Sequence, residues 1–559
     1  MANQKPIMLI PDEAVPAGET APAPECDVFA RPDEMVELLL AAQPYRLDAE
    51  LRLTEACIEK ELTWICSIRT GNASVEQCVR GLRLAYHAGH LFKNTGESSS
   101  QRGKLMHALV GVITSVTPTT TLQRILITCE IPLLVLGLQV GTSRREANRQ
   151  TIVDKLTAIC EEDFDGEGML ASSDLCELAE VLASIARMIQ LVEIVTQTSL
   201  PQRILNQFQW AVRQLLVICT SDGRPIGGKS RRLNDEFVTL LLKLGGDPSD
   251  VRLAHHLGFL SDSASGFTAE LAVKAERPKA SFHSEWAQVA ILRSGWGRKR
   301  RELAVCVSGT QVEIALQSCG NRILEGRIEF TLEVAGGRLE PTGSWVETCW
   351  QSDSDADFLE MELEVNDCWR IQRQFCVSRR SGAVLIADVV LGTANSDVRH
   401  TLKMGTASGA TFTAGNDGRE LFVDTGNLHG LVLPVGLSEW PSDRSGSIRG
   451  DLTGANELEL ITSGDQLSAL YCPLFFALTP KAADKQYTWR QLVVANKLTQ
   501  EAQDQASASR IQVGGRQWLL YRSLTEQANR TFMGQNYASE FVFGEFLLDG
   551  KLKPYVEIE

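Results

Sequence analysis

The chain of 559 residues is poor in the side chains that most often move protons or stack against sugar rings. Aromatic residues make up 6% of it, and it has only eight histidines and seven tyrosines. Histidine and tyrosine are common general acids and bases, and aromatic rings offer flat apolar surfaces to ligands. Their scarcity limits where acid–base catalysis or ring stacking can occur along this chain.

Paired cysteines are also absent. The 14 cysteines are scattered, and none forms a Cys-x-x-Cys pair. Cys66, Cys129, Cys219 and Cys306 lie inside apolar runs, where a thiol behaves as a small core side chain. This pattern disfavours a disulfide framework and a zinc site, and it predicts a reducing, cytoplasmic environment.

No hydrophobic run is long enough to cross a membrane, and the N-terminal segment lacks the pattern of a signal peptide. The first 25 residues contain an apolar run of about four residues, whereas a signal peptide needs about 7–15. The most apolar segment, 125–140, contains Glu130 and Pro132 and falls short of the ~20 apolar residues of a transmembrane helix. We therefore predict a buried helix there and no membrane partner.

The chain also has fewer basic than acidic residues. The chain has 55 lysines and arginines against 70 aspartates and glutamates, for a net charge of −15. Such a balance argues against nucleic acid and anionic membranes as the main partners. A local basic pocket could still bind an acidic substrate.

The apolar pattern divides the chain into regions. Residues 1–31 are a tail rich in Pro, Ala and acids, 32–260 are helical, 261–284 form a linker, and 285–559 are strands. The clearest helical runs lie at 47–67, 75–92, 101–115, 145–161, 173–196 and 201–220. From about residue 285 the apolar period is two, which indicates antiparallel sheets. The fold class predicted is α+β and multidomain, with an all-α half before an all-β half.

Several segments resemble a known family. They are WAQVAILRSGWG (286–297), SGTQVEIALQSCGNRILEG (308–326), 357–392, EIPLLVLGLQ (130–139) and EEDFDGEGML (161–170). In this order they resemble the heparinase II/III-like polysaccharide lyases. The resemblance implies an (α/α) toroid over 32–260 and an antiparallel β-sandwich over 285–559. It also implies an acidic polysaccharide or oligosaccharide as partner.

The family's chemistry is β-elimination, for which a group must neutralise the substrate carboxylate, a base must take the C5 proton and an acid must protonate the leaving oxygen. The resemblance places an Asn-His pair on an inner helix, a His-rich turn in the sandwich and a Tyr after an Asp-Gly turn. Here positions 129–132 read Cys-Glu-Ile-Pro, 306–308 read Cys-Val-Ser, and 171–173 read Ala-Ser-Ser. These substitutions predict a degenerate lyase.

One cluster of candidate catalytic residues remains in GLRLAYHAGHLF. Arg83, His87 and His90 share a helix face, with Tyr86 beside them. On the inner wall of a toroid, Arg83 could bind a carboxylate while Tyr86, His87 and His90 move protons. Alternatively, the tyrosine packs in the core and the histidines bond between helices. No third ligand accompanies His87 and His90, so neither a metal nor a cofactor is predicted.

A second candidate is the pair His255-His256, which follows the helical region near the expected domain junction. Clefts often form at such junctions, so the pair could bind substrate. The alternative interpretation is a contact between domains.

A competing motif lies at residues 223–230, Gly-Arg-Pro-Ile-Gly-Gly-Lys-Ser, which match the P-loop pattern. In a P-loop, Lys229 would reach the phosphates and Ser230 would hold Mg²⁺. A P-loop must join a strand to a helix, whereas the preceding residues have a helical pattern. A turn between two helices is the simpler interpretation.

Three hypotheses follow. The leading one is a heparinase II/III-like protein with a decayed lyase centre, which binds an acidic glycan or a protein. The second is an active lyase that uses Arg83, Tyr86, His87 and His90. The third is a P-loop nucleotide binder.

Overall fold

In the computed structural model, most of the chain after residue 117 is described. The described residues are 117–138, 145–196, 198–227, 231–260, 278–416, 418–443, 446–497 and 499–559, with isolated residues between 82 and 114. The chain divides into two compact units. The helical unit is Met1–Val217 with Gly223–Arg277, and the strand unit is Ile218–Asp222 with Pro278–Glu559.

Seven α-helices have their bounds within the described residues of the helical unit. They are α1 Thr121–Ile125, α2 Ile131–Leu138, α3 Arg145–Asp163, α4 Leu178–Thr196, α5 Gln202–Val217, α6 Asp235–Gly245 and α7 Pro248–His256. A π-helical turn, Leu126–Glu130, joins α1 to α2, and a 3₁₀ turn, Leu175–Glu177, precedes α4. The helical runs predicted at 145–161, 173–196 and 201–220 are confirmed.

Local capping explains where several helices begin. The Asn234 side chain accepts backbone N–H groups of Glu236 and Phe237 at the start of α6. At α7, Asp247 and Asp250 form a reciprocal capping box around Pro248. Caps of this kind satisfy N–H groups that have no partner inside the helix.

The apolar run 125–140 is predicted to be a buried helix, and it is helical from Ile125 to Leu138. Its side chains up to Leu136 are buried except that of Thr128, which is half-buried, and residues 139 and 140 lie outside the described residues. The π turn inserts one wide turn between α1 and α2, and Leu126, Ile127 and Cys129 on it are buried. Such π turns are often found at functional positions. No helix among the described residues is long and apolar enough to cross a membrane.

The strand unit contains 24 strands within its described residues. They are β1 Phe282–Ser284, β2 Val289–Arg293, β3 Arg301–Ser308, β4 Gln311–Ser318, β5 Asn321–Val334, β6 Gly337–Leu339, β7 Val346–Ser352, β8 Ala356–Asn366, β9 Trp369–Ser378, β10 Ala383–Thr406, β11 Thr411–Ala414, β12 Leu421–Asp424, β13 His429–Pro434, β14 Ile448–Gly454, β15 Glu457–Ala477, β16 Tyr487–Gln491, β17 Ala495–Asn496, β18 Thr499–Gln500, β19 Ala506–Val513, β20 Arg516–Ser523, β21 Arg530–Phe532, β22 Gln535–Tyr537, β23 Phe541–Phe546 and β24 Leu552–Ile558. The predicted antiparallel pairing is confirmed throughout these strands.

The strands form a sheet of 15, a sheet of five (β16-β19-β20-β23-β24) and a sheet of four (β18-β17-β21-β22). The main path of the largest is β1-β2-β3-β4-β5-β10-β15-β13-β12-β11. Its longest pairing joins β10 to β15, from Ala383 opposite Ala477 to Gly405 opposite Glu457. This long pair forms the centre of the unit.

The first part of strand β10, from Ala383 to Val390, is buried on both faces, and its alternation separates two hydrophobic clusters. Val384 and Ile386 belong to one cluster, whereas Leu385 and Ala387 belong to the other. The second cluster also contains Phe543 of the five-stranded sheet. The smaller sheet therefore packs on one face of the large one, because successive side chains of a strand point to opposite faces.

The segment Ile218–Asp222 is fixed within the strand unit by polar contacts. Asp222 Oδ2 accepts Arg322 Nε at 2.7 Å, and Thr220 Oγ1 accepts Arg322 Nη2 at 2.9 Å. Burial alone would raise the pKa of Asp222, but the hydrogen bonds and charge of Arg322 bring it down to about 2. Folding therefore favours the ionised carboxylate.

The predicted core cysteines can be located. Cys129, Cys219 and Cys306 are buried, which confirms the interpretation of their apolar runs. Cys66 lies outside the described residues. Burial raises the pKa of the Cys129 thiol to about 12, so this side chain stays protonated at neutral pH.

Candidate functional site

A cleft of about 350 Å³ lies in the helical unit between α3, α5 and the turn 164–170. Side chains of varied chemistry line it, including Glu161, Phe164, Asp165, Arg203, Gln207 and Trp210. The volume is at the lower end of the range for small-ligand sites. The cleft is thus large enough for a short ligand segment and carries both apolar and polar groups.

The turn that forms one wall is held by its own aspartate. Asp165 Oδ1 accepts the backbone N–H groups of Glu167 and Met169, both at 2.8 Å. Phe164 and Leu170 form a short antiparallel bridge that closes the turn. An aspartate that bonds its own backbone in this way stabilises a tight turn.

Glycine allows this turn to approach α5. Gly168 has φ +92°, and a Cβ atom placed there would lie 2.4 Å from the backbone nitrogen of Ala211. Gln207 Nε2 donates to the carbonyl of Asp165, and Gln214 Nε2 donates to the carbonyl of Glu167, both at 3.0 Å. One glycine and two amide side chains therefore fix the position of this cleft wall against α5.

One exposed ion pair joins α3 to α5 at the cleft. Arg203 Nη1 lies 3.2 Å from Glu161 Oε1, and the two side chains are 59% and 64% exposed. Asp165 adds a third charge, so these three residues sum to −1. Trp210 beside them is 40% exposed, so part of its ring is accessible to a ligand.

A larger cavity, of about 760 Å³, lies in the strand unit. Its charged lining consists of Arg370 and six carboxylates, those of Glu362, Glu364, Asp367, Glu526, Glu540 and Glu559. This excess of negative charge would repel an acidic ligand. The smaller cleft carries less excess negative charge, because its charged lining residues are Arg203, Glu161 and Asp165.

The helix position at which the resemblance expects an Asn-His pair is occupied by a buried ion pair. Glu130 is fully buried, and its carboxylate accepts Arg187 Nε at 2.6 Å and Arg187 Nη2 at 2.9 Å. Ser184 Oγ also donates to it at 2.5 Å. Glu130 is thereby closed off from any substrate.

The sandwich position at which the resemblance expects histidine is the β3–β4 hairpin. Cys306 is buried, and Ser308 is exposed at the end of β3. The backbone N–H of Trp345 donates to the carbonyl of Gly309 at 3.0 Å, and its Nε1 donates to the carbonyl of Thr310 at 3.2 Å. This hairpin is fixed by tryptophan contacts and carries no imidazole.

Positions 171–173, which follow the Asp-Gly turn, form a partly exposed bend before the 3₁₀ turn. The adjacent Asp174 carboxylate accepts both the backbone N–H and the hydroxyl of Thr121, at 3.0 and 2.6 Å. The segment joins the start of α1 to the start of α4, and it presents small side chains where the resemblance expects tyrosine.

A second buried charge cluster lies in the strand unit. Arg373 Nε and Nη2 bond the carboxylate of Asp388 at 2.7 and 2.8 Å, and His400 Nε2 lies 3.1 Å from it. Burial alone would raise the pKa of Asp388, but Arg373 and His400 hold it well below its usual range. All three side chains are fully buried, so the cluster is structural.

The candidate residues predicted from sequence divide into two groups. Those in the first cluster, Arg83, Tyr86, His87 and His90, lie outside the described residues. His255 and His256 end α7, with ring centroids 6.3 Å apart, and neither lines the cleft.

The P-loop-like run lies between two helices. Gly223 follows α5 and the segment Ile218–Asp222, and α6 begins at Asp235. The last three residues of the run, which include Lys229 and Ser230, lie outside the described residues. A helix of 16 residues before the run is the wrong context for a phosphate loop.

Sequence reasoning missed the residues that line the cleft, although a signal was present. Arg203, Asn206, Gln207 and Trp210 recur at the i, i+3, i+4, i+7 spacing of one helix face. A tryptophan within a polar stripe is a reason to expect an exposed ring. A search for histidine and tyrosine as candidate catalytic residues does not detect this tryptophan.

Comparison with known proteins gives matches at the level of structure. No family model matches the sequence, and no curated protein matches it. The chain is similar to the crystal structure of heparinase III, with a TM-score of 0.64 and 10% identity over 87% of this chain and 82% of that one.

Two further structures agree with this match. A heparinase III described as the BT4657 gene product gives a TM-score of 0.55 at 10% identity, over 87% of this chain and 83% of that one. The heparan sulfate lyase HepC from Pedobacter heparinus gives 0.52 at 12% identity, over 80% and 74%. The chain therefore has a heparinase-like polysaccharide lyase fold, as the sequence resemblance predicts.

Proposed function

We propose that this protein is a degenerate polysaccharide lyase that binds an acidic glycan in the cleft beside Trp210 and does not cleave it. In this proposal the described helices belong to an (α/α) toroid whose groove is retained for binding. The observation that carries the proposal is the buried pair of Glu130 and Arg187, at the position that the resemblance assigns to catalysis.

Beta-elimination makes demands that the assigned positions do not meet. A base near neutral pH must accept the C5 proton, yet burial raises the pKa of the Cys129 thiol to about 12. The neighbouring Glu130 carboxylate has both oxygens engaged by Arg187 and Ser184. In the hairpin, no hydrogen bond among the described residues joins the Ser308 hydroxyl to a basic group. The chemistry of these three side chains supports a loss of lyase activity.

The cleft offers the contacts that a sugar chain uses. The ring of Trp210 presents an apolar face, while Asn206 and Gln207 carry amides that can bond hydroxyl groups. Arg203 can bind a carboxylate through two parallel N–H groups. We expect one uronate unit to place its ring on Trp210 and its acid group at Arg203.

Calorimetry and an absorbance assay test this proposal together. Uronate-containing oligosaccharides are titrated into wild-type protein, Trp210→Ala and the control Trp440→Ala, whose ring is 51% exposed in the strand unit. We expect saturable binding without the absorbance of an unsaturated uronate, and about tenfold weaker binding in Trp210→Ala alone, equivalent to ~1.4 kcal/mol. Product formation, or equal binding by all three proteins, would overturn the proposal.

A further inference from the structure

The charged residues of the cleft do not form a simple anion site. Among the described residues that line it, Arg203 is the one basic residue, and its guanidinium already faces Glu161 at 3.2 Å. Asp165 lines the same cleft, and its carboxylate is fixed in place by two backbone N–H groups. A ligand that approaches Arg203 therefore meets two negative charges.

We infer that Glu161 is a specificity residue, which competes with the ligand for Arg203 and so selects glycans with sparse negative charge over densely sulfated ones. This inference rests on the proposed function and names the ligand class for the same site. A single carboxylate can take the place of Glu161 at Arg203, because an exposed ion pair is weak. Additional anionic groups would meet no second basic side chain among the described residues that line the cleft.

The size of the effect follows from the position of Glu161. Once displaced, its carboxylate stays tethered to α3 at the edge of the cleft, as does that of Asp165 on the turn. A ligand anion about 8 Å from one such charge in a largely aqueous setting is disfavoured by roughly two- to fivefold. Several sulfates per disaccharide multiply this factor, whereas one carboxylate paired with Arg203 avoids most of it.

The decisive variant is Glu161→Gln, which keeps the shape of the side chain and removes its charge. Its matched control is Glu340→Gln, because Glu340 pairs with Arg338 at 2.8 Å and the two are 72% and 62% exposed in the strand unit. Each protein is titrated with two hexasaccharides of equal length, one unsulfated with alternating glucuronate and one densely sulfated. Affinities are measured by calorimetry at low salt and at physiological salt.

We expect the wild type to prefer the unsulfated hexasaccharide. Glu161→Gln should raise the affinity for the sulfated ligand about fivefold more than that for the unsulfated one at low salt, and less at physiological salt because of screening. Glu340→Gln should leave the ratio unchanged. An unchanged ratio in Glu161→Gln, while Trp210→Ala still weakens binding, would overturn this inference and leave the proposed function standing. Wild-type protein that binds neither hexasaccharide would overturn both.

Discussion

Replacement of Gly168 by alanine should detach the cleft wall from α5. The added Cβ would lie 2.4 Å from the nitrogen of Ala211 and 2.5 Å from the carbonyl carbon of Trp210. Both are backbone atoms that cannot rotate away. Gly168 also has φ +92°, which side-chain-bearing residues rarely adopt.

The steric overlap and the positive φ together determine how far the substitution should destabilise the turn. Strain at such a φ costs about 1–2 kcal/mol, and overlap in a packed contact costs about 1–3 kcal/mol more. We expect the turn 164–170 to be destabilised by about 3 kcal/mol relative to wild type. Local opening that becomes easier by this amount speeds amide exchange by about 100-fold.

Hydrogen–deuterium exchange of peptides that cover 164–170 and α5 measures this change. The amide of Met169 is the best reporter, because it donates to Asp165 inside the turn. The control is Gly166→Ala, since a Cβ there would have nothing within 4 Å. Equal protection of Gly168→Ala and Gly166→Ala would refute the docking argument. Glycan affinity should fall in Gly168→Ala only.

Three other perturbations follow from the described contacts. Arg187→Met should lower the free energy of unfolding by about 3–5 kcal/mol in urea titration, because it leaves the Glu130 carboxylate buried without its cation. The folded-state pKa of Asp222 is lowered, so its contribution, on the order of 2 kcal/mol, should be present above pH ~4 and lost as the pH falls towards 2. In the native protein, iodoacetamide should label the exposed Cys368 and spare the buried Cys129 in a mass-spectrometric assay.

Each of these perturbations has a control. The double variant Glu130→Met with Arg187→Met should recover part of the lost stability, since it removes the unpaired charge. Asp222→Asn should flatten the acid dependence below pH ~4, and a profile unchanged by this substitution would contradict the assigned pKa shift. Labelling of Cys129 at the rate of Cys368 would show that the π turn is open to solvent.

Much of the fold could be predicted from the sequence because its signals are local. Helical spacing gave α3 and α5 within three residues at each end, since amphipathic periodicity directly reflects burial on one face. The change to a period of two near residue 285 likewise corresponds to the antiparallel strands that follow β1. The order of helices before strands, together with the five segments that resemble the family, suggested the heparinase-like fold.

The site was harder to predict because it depends on long-range contacts. Glu130 meets Arg187 across 57 residues, and nothing in either segment alone indicates the pairing. Gly168 approaches α5 through a conformation that sequence patterns do not encode. The π turn at 126–130 likewise interrupts a run that is mostly apolar. The helix face of Arg203, Asn206, Gln207 and Trp210 could have been predicted from the sequence, because its spacing is that of one face and it contains an aromatic ring among polar side chains.

The central claim is that the cleft binds uronate-containing glycan and the protein does not cleave it. One sample of wild-type protein with an unsulfated uronate hexasaccharide tests it, when heat of binding and absorbance of unsaturated uronate are recorded together. The account predicts a saturable heat and flat absorbance over many protein equivalents of ligand. A steady rise in absorbance would contradict it, and loss of that rise in His87→Ala would then assign catalysis to the residues around Tyr86.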